Sequence, residues 1–151
     1  MPKRSYKAVF FDLDGTLLPI DMDAFLKNYF NDIAAFVQAR GHDPKQFIDA
    51  LSAGVKSMLT KQGGLNSGRF WETFTSRMGG DSSVEYEKMM DEYYATCFDG
   101  LSAMATNVDP NAAYAVKTLK EKGYPLYLTT MPLFPRIAVE KRLSWANVRA
   151  S

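Results

Sequence analysis

Two aspartates near the start of the chain, Asp12 and Asp14, have the type and spacing that most directly indicate chemistry. Asp12 ends an apolar run over residues 7–12 that is typical of a parallel strand buried on both faces, and Asp14 follows two residues later. Alternation along a strand would send both carboxylates to one side, at the end where open α/β sheets bind ligands. Two such close carboxylates repel, and a bound divalent cation relieves the repulsion. The pair therefore predicts a site for Mg²⁺, which prefers oxygen ligands.

Two further residues, Gly15 and Thr16, follow the aspartates directly. Glycine permits a sharp turn, and the threonine adds a hydroxyl at that turn. A simpler interpretation is a strand end followed by an ordinary turn, because Asp and Gly are common turn residues. The apolar residues before and after the segment favour the functional interpretation.

The run from Phe10 to Leu18 resembles the first signature of the haloacid-dehalogenase-like superfamily, Asp-x-Asp-Gly-Thr-Leu after an apolar strand. The resemblance implies that Asp12 is a nucleophile forming an aspartyl-phosphate and that Asp14 is the general acid and base. It also implies that the Asp12 side chain and the Asp14 backbone carbonyl bind Mg²⁺. Gly15 and Thr16 are expected to help hold the substrate phosphate. Dehalogenating members lack an aspartate at the Asp14 position, so phosphoester chemistry is favoured.

The second signature of this superfamily is a Ser or Thr that closes another apolar strand, and residues 125–130 fit it. The residues that follow favour Thr130 over Thr129 as the phosphate-binding hydroxyl. Strands that end in threonine are common, so the position of Thr130, one helix after the middle block, carries most of the weight. Relatives often have Asn next, whereas this chain has Met131.

Helical periodicity runs through residues 22–99 and predicts four helices without a strand. Asp21 is the predicted N-cap of the first helix and Asp43 that of the second, while Ser82 and Glu85 predict a capping box at the fourth. The block resembles the cap that phosphoglycolate-phosphatase-like relatives insert after the first signature. Its glycine-rich turn at 63–68 has two open interpretations, a loop that reaches the substrate or an ordinary connection.

The order strand, helical block, helix, strand, helix predicts an α/β fold. We expect a Rossmann-like parallel sheet core from residues 1–20 and 100–151, incomplete on its C-terminal side, with an all-helical cap inserted at 21–99. In the second part of the core, Asp109 is expected to cap a helix and Pro135 to begin the last one.

The resemblance ends after the second signature. Lys141 and Arg142 lie too soon after it to supply the lysine of the third, and no acidic pair for the fourth follows Thr130. We therefore expect a truncated product with little activity of its own, or another chain that completes the open sheet edge, including self-association through that edge. The alternative function is a non-catalytic fragment or interaction module.

Composition narrows the class of protein. The formal net charge is +1 with no basic block, which argues against nucleic acid and acidic membrane surfaces as partners. The single cysteine, Cys97, fits a reducing cytoplasm, and no apolar run reaches the length of a membrane span. The sequence thus predicts a cytoplasmic, Mg²⁺-dependent hydrolase of a small phosphate monoester from a phosphorylated metabolite. A phosphomutase would use the same residues.

Overall fold

The computed structural model describes residues 6–150 and shows an α/β chain with its elements in the predicted order. Among the described elements, a 3₁₀ helix over Phe98–Met104 is the one that the sequence pattern did not predict. None of the described helices has the length and apolar character needed to cross a membrane. In chain order the elements are β1 (Val9–Phe11), α1 (Met22–Gln38), α2 (Pro44–Thr60), α3 (Asn66–Met78), α4 (Val84–Thr96), the 3₁₀ helix (Phe98–Met104), α5 (Pro110–Glu121), β2 (Leu126–Leu128) and α6 (Arg136–Trp145).

The two strands pair in parallel, which confirms the predicted class of sheet, and the described sheet is small. The register sets Val9 opposite Leu126 and Phe11 opposite Leu128. Parallel strands need a long crossover, and here all the helices from α1 to α5 lie between them in the chain. The carboxyl ends of β1 and β2 therefore meet at one edge of the sheet.

The prediction that the first strand is buried on both faces is wrong. Phe10 is 63% exposed and Tyr127, on the neighbouring strand, is 54% exposed. Their rings stack on each other with centroids 5.3 Å apart. Phe11 and Leu128 lie on the other face, in an apolar cluster with residues of α5 and α6 such as Val116. An unbroken apolar run does not reveal which of its faces helices cover.

The chain divides into two compact units. One contains the chain up to Phe25 and from Gly100 onward, and the other is the helical segment Leu26–Asp99. The first unit is held by an apolar cluster in which three leucines after β1 contact the C-terminal residues. Its buried members are Leu13, Leu17, Leu18, Leu143, Ala146 and Val148.

The helical unit is held by close helix contacts and by aromatic rings. Ser57, buried in α2, donates its hydroxyl to the carbonyl of Arg69 in α3 at 2.8 Å. Phe74 packs edge-to-face on Phe47, with ring centroids 5.1 Å apart. These contacts join α2 and α3 into a closely packed helix pair.

Most helix starts follow the predicted caps. Asp21 accepts from the Ala24 N–H at 3.1 Å, and Asp43 accepts from the N–H of Lys45 at 2.9 Å. The capping box at Ser82 is wrong: α4 begins one residue later, with Ser83 as N-cap. The Ser82 hydroxyl instead accepts from the Val84 N–H at 3.3 Å, because a serine hydroxyl also caps a short turn.

Gly54 provides a test of the α2–α3 packing. An added Cβ would lie 2.6 Å from Cδ2 of Phe70, so Gly54→Ala should lower the free energy of unfolding by about 1–3 kcal/mol. The matched control is Gly68→Ala in α3, where nothing lies within 4 Å and the better helix propensity should raise stability by up to about 1 kcal/mol. Urea unfolding measures both. A Gly54→Ala protein at least as stable as the parent would contradict the close approach.

Two buried phenols in the helical unit predict a loss of stability at alkaline pH. Burial, and then the neighbouring Tyr94 hydroxyl at 2.8 Å, raise the pKa of Tyr29 well above its ordinary value of 10.0. Burial and the hydrogen bond to Asp32 likewise raise the pKa of Tyr93. Both groups keep their protons in the folded state while the unfolded chain releases them. Their stabilisation is therefore complete below pH 10 and is lost as the pH rises above it.

We expect Tyr29→Phe to make that alkaline decline shallower, although it also removes a hydrogen bond. Free energies of unfolding at pH 8 and at pH 10.5 measure the difference. Tyr114→Phe, at a side chain 69% exposed, is the control and should leave the decline unchanged. Equal declines in the parent and in Tyr29→Phe would refute the assignment.

Candidate active site

The loop after β1 carries the residues of the first signature. The Leu13 carbonyl accepts from the N–H of Thr16 at 3.2 Å and of Leu18 at 2.9 Å, and the Gly15 N–H donates to the Leu18 carbonyl at 2.9 Å. Gly15 has φ +78°, which a side chain would strain, so glycine is required at this turn. The buried side chains of Leu13, Leu17 and Leu18 anchor the loop in the apolar cluster. Asp12 and Thr16 are exposed.

The polar groups that the loop leaves unused are the ones that phosphate or metal chemistry requires. Among the described residues, the Asp12 carboxylate and the Thr16 hydroxyl have no hydrogen-bond partner. The same holds for the Asp14 carbonyl and for the N–H groups of Leu13 and Asp14. The N–H groups of Gly15 and Thr16 are used inside the loop, so the hydroxyl is what Thr16 offers a ligand.

The end of β2 lies beside this loop. The Thr129 N–H donates to the Phe11 carbonyl at 2.8 Å, which continues the parallel ladder past Leu128. The Thr129 hydroxyl donates to the same Phe11 carbonyl at 3.3 Å. The hydroxyl of the next residue, Thr130, has no partner among the described residues. The structure therefore leaves Thr130 the freer of the two hydroxyls.

A contact that the sequence interpretation missed joins the loop to α6. Nη1 of Arg142 lies 2.7 Å from Oδ1 and 2.8 Å from Oδ2 of Asp14. The arginine side chain is 1% exposed and that of Asp14 is 25% exposed. The sequence carried a signal: Ala138, Arg142 and Ala146 are spaced by four residues, so Arg142 lies on the face of the helix that its buried neighbours share.

The donor set at the loop fits a magnesium ion of the kind predicted. The Asp12 carboxylate and the Asp14 carbonyl are hard oxygen donors without a competing partner in the described chain. No group of three or more His, Cys, Asp or Glu residues within 6–150 is arranged to hold a metal. Two protein oxygens suit Mg²⁺, which usually keeps several waters and binds substrate phosphate. Since Arg142 already holds the Asp14 carboxylate, the backbone carbonyl is the ligand that Asp14 would supply.

The glycine-rich turn at 63–68 belongs to the helical unit. Nη1 of Arg69 donates to the Gly63 carbonyl at 2.6 Å and to the Gly64 carbonyl at 3.3 Å. Arg69 belongs to the same unit as the turn, so these hydrogen bonds favour the interpretation of the turn as an ordinary connection between two helices. A contact between this turn and a substrate remains a prediction.

One comparison with known proteins gave a match. A family model described as haloacid dehalogenase-like hydrolase matches residues 6–143. A search of curated proteins gave no match, and a search of solved structures gave none. The matched range includes β1, the loop with both aspartates, all the helices up to α5, β2 and most of α6. The chain belongs to the haloacid dehalogenase-like hydrolase family.

Proposed function

We propose that this hydrolase cleaves a small phosphate monoester with Mg²⁺ as cofactor and Asp12 as nucleophile. The observation that carries the proposal is the Asp12 carboxylate, exposed at the end of a parallel strand and without a partner in the described residues. A carboxylate without a competing hydrogen bond keeps the lone pairs that attack at phosphorus requires. When bound, Mg²⁺ would neutralise charge between this carboxylate and the phosphate.

In the proposed first step, an oxygen of Asp12 forms a bond to phosphorus while the bond to the ester oxygen breaks. The departing oxygen takes a proton from the Asp14 carboxyl. In the second step, water attacks the phosphorus, Asp14 takes the water's proton and the bond to Asp12 breaks. Each oxygen of Asp14 accepts one contact from Arg142, and a carboxylate oxygen has two lone pairs, so one remains for a proton. The Asp14 side chain is 25% exposed and would take up from solvent the proton that it donates in the first step.

The transferred phosphate would lie against the polar groups that the loop leaves free. The N–H groups of Leu13 and Asp14 and the hydroxyls of Thr16 and Thr130 have no described partner. Fixed donors of this kind stabilise the charge on phosphate oxygens without having to reorganise during the reaction. Gly15 would contribute through the turn that its positive φ allows.

We infer that the helical segment acts as a cap domain and selects the substrate. The compact units divide after Phe25 and after Asp99, whereas the sequence pattern predicted a boundary after residue 20. Closure of a cap would exclude water during the first step. Small phosphorylated metabolites are the substrate class that such a site suits. The single Cys97 is compatible with a cytoplasmic enzyme, and self-association through the sheet edge stays a prediction.

Asp12→Asn tests the nucleophile. The amide is nearly isosteric but cannot attack phosphorus as a carboxylate does, so Mg²⁺-dependent hydrolysis of an aryl phosphate should fall below detection. Asp91→Asn, an exposed acid on α4, is the matched control and should retain full activity. The parent should also incorporate phosphate at Asp12, visible by mass spectrometry after acid quenching. Equal hydrolysis by the parent and Asp12→Asn, or none by the parent, would end this proposal and favour a non-catalytic module.

Thr130→Val tests the second signature. Removing one hydroxyl that stabilises developing charge should lower kcat by about 10²-fold, while the similar volume of valine preserves the packing. Thr129→Val is the comparison: its hydroxyl is engaged by the Phe11 carbonyl, so its loss of kcat should be far smaller. Steady-state kinetics on one aryl phosphate measures both. The reverse order of effects would assign the phosphate contact to Thr129.

A further inference from the structure

Arg142 is a charged side chain enclosed by protein. It is 1% exposed, its guanidinium carbon lies 4.7 Å from the centre of the Phe134 ring, and Nη1 contacts both carboxylate oxygens of Asp14. Its Nε is buried without a hydrogen-bond partner in the described chain. The side chain is therefore held by one carboxylate and one aromatic face.

Stability alone gives little reason for such an arrangement. A buried ion pair commonly stabilises no more than well-packed apolar residues of similar volume, because both charges lose their hydration. The unpartnered Nε adds a further desolvation cost. An apolar side chain at this position of α6 would avoid both. The arrangement is better explained by what it does to Asp14.

The burial of Arg142 also decides which role is open to it. A side chain that is 1% exposed cannot reach a substrate phosphate, so Arg142 does not replace a phosphate-binding lysine. The Asp14 side chain is 25% exposed and faces both environments: Arg142 on the protein side, and solvent on the other. Arg142 can therefore act on the reaction only through Asp14.

We propose that Arg142 is a positioning residue, which fixes the orientation of the Asp14 carboxyl for proton transfer to the leaving group. The inference rests on the proposed function, in which Asp14 is the acid. Contact of one Nη with both oxygens holds the carboxyl in place, and the Phe134 ring holds the plane of the guanidinium. A proton donor that is displaced by about 1 Å loses on the order of 10² in rate.

The test compares two substrates in one set of variants. Arg142→Met keeps the approximate volume and removes the charge, and Arg142→Lys keeps the charge without the planar fork. An aryl phosphate departs with little help from an acid, whereas a simple alkyl phosphate requires protonation of its oxygen. Arg142→Met should lower kcat/KM for the alkyl phosphate by about 10–100-fold and for the aryl phosphate much less. Arg142→Lys should recover part of the loss.

Two further measurements separate positioning from a merely structural role. Inhibition by inorganic phosphate should be unchanged in Arg142→Met, since Arg142 does not touch the ligand. In an Asp14→Asn background, Arg142→Met should cause no additional loss of aryl phosphate hydrolysis, because the group through which it acts is already gone. Arg136→Met, on the exposed side of the same helix, is the control and should behave like the parent.

The ion pair has a readout that needs no activity. In metal-free protein, Arg142→Met should be less destabilising, or more stabilising, in the Asp14→Asn background than in the parent, because that background has already lost the pair. The melting temperatures of the four proteins measure the difference. If Arg142→Met does not fold, the same comparisons are made with Arg142→Lys.

The outcomes are distinct. A folded variant with equal losses on both substrates, or with the same loss in the Asp14→Asn background, overturns the positioning role and leaves the proposed function standing. Additive changes in melting temperature would also overturn the positioning role, because they would show that the two side chains are not coupled. A parent that shows no Asp12-dependent hydrolysis overturns the proposed function, and the role of Arg142 with it.

Discussion

A guanidinium enclosed in protein has to face a carboxylate, and this requirement ties α6 to the loop after β1. Arg142 faces the Asp14 carboxylate, and its Nη1 lies 2.7 Å from Oδ1 of Asp14. Removing one partner of such a pair leaves an uncompensated buried charge, which costs about 3–5 kcal/mol. The two residues that the contact joins lie 128 positions apart in the chain. The contact that orients the proposed acid is therefore also one that the packing of this unit cannot easily lose.

The loop itself shows how apolar anchors expose polar groups. Leu13, Leu17 and Leu18 are buried in one cluster, and the residues between them turn away from it. The carbonyls of Leu13 and Leu18 accept the hydrogen bonds that close the turn. As a result the Asp12 carboxylate and the Asp14 carbonyl are left for a ligand. The parallel ladder then brings Thr129 to the Phe11 carbonyl, at the start of this loop, and Thr130 follows it in the chain.

Sequence reasoning succeeded where structure is local. Helix periods, the caps at Asp21 and Asp43, and the strand with its aspartates all depend on neighbours in the chain, and these features are present. It failed where a distant partner decides. The exposure of Phe10 depends on which face of the sheet α5 and α6 cover. The capping box failed for a local reason: Ser82 and Ser83 both offer a hydroxyl, α4 begins after Ser83, and the Ser83 side chain makes no cap hydrogen bond.

Arg142 falls between these two cases. Its spacing from Ala138 and Ala146 places a cation on the buried face of α6, which a sequence can show. A cation there implies a carboxylate elsewhere in the chain, since an unpaired buried charge is too costly. The spacing does not name that carboxylate. Asp14 is a suitable partner because it lies among the buried leucines of the loop, whereas Asp12, one residue before them, remains exposed. The two aspartates of the signature are thereby given different surroundings, as the two different roles proposed for them require.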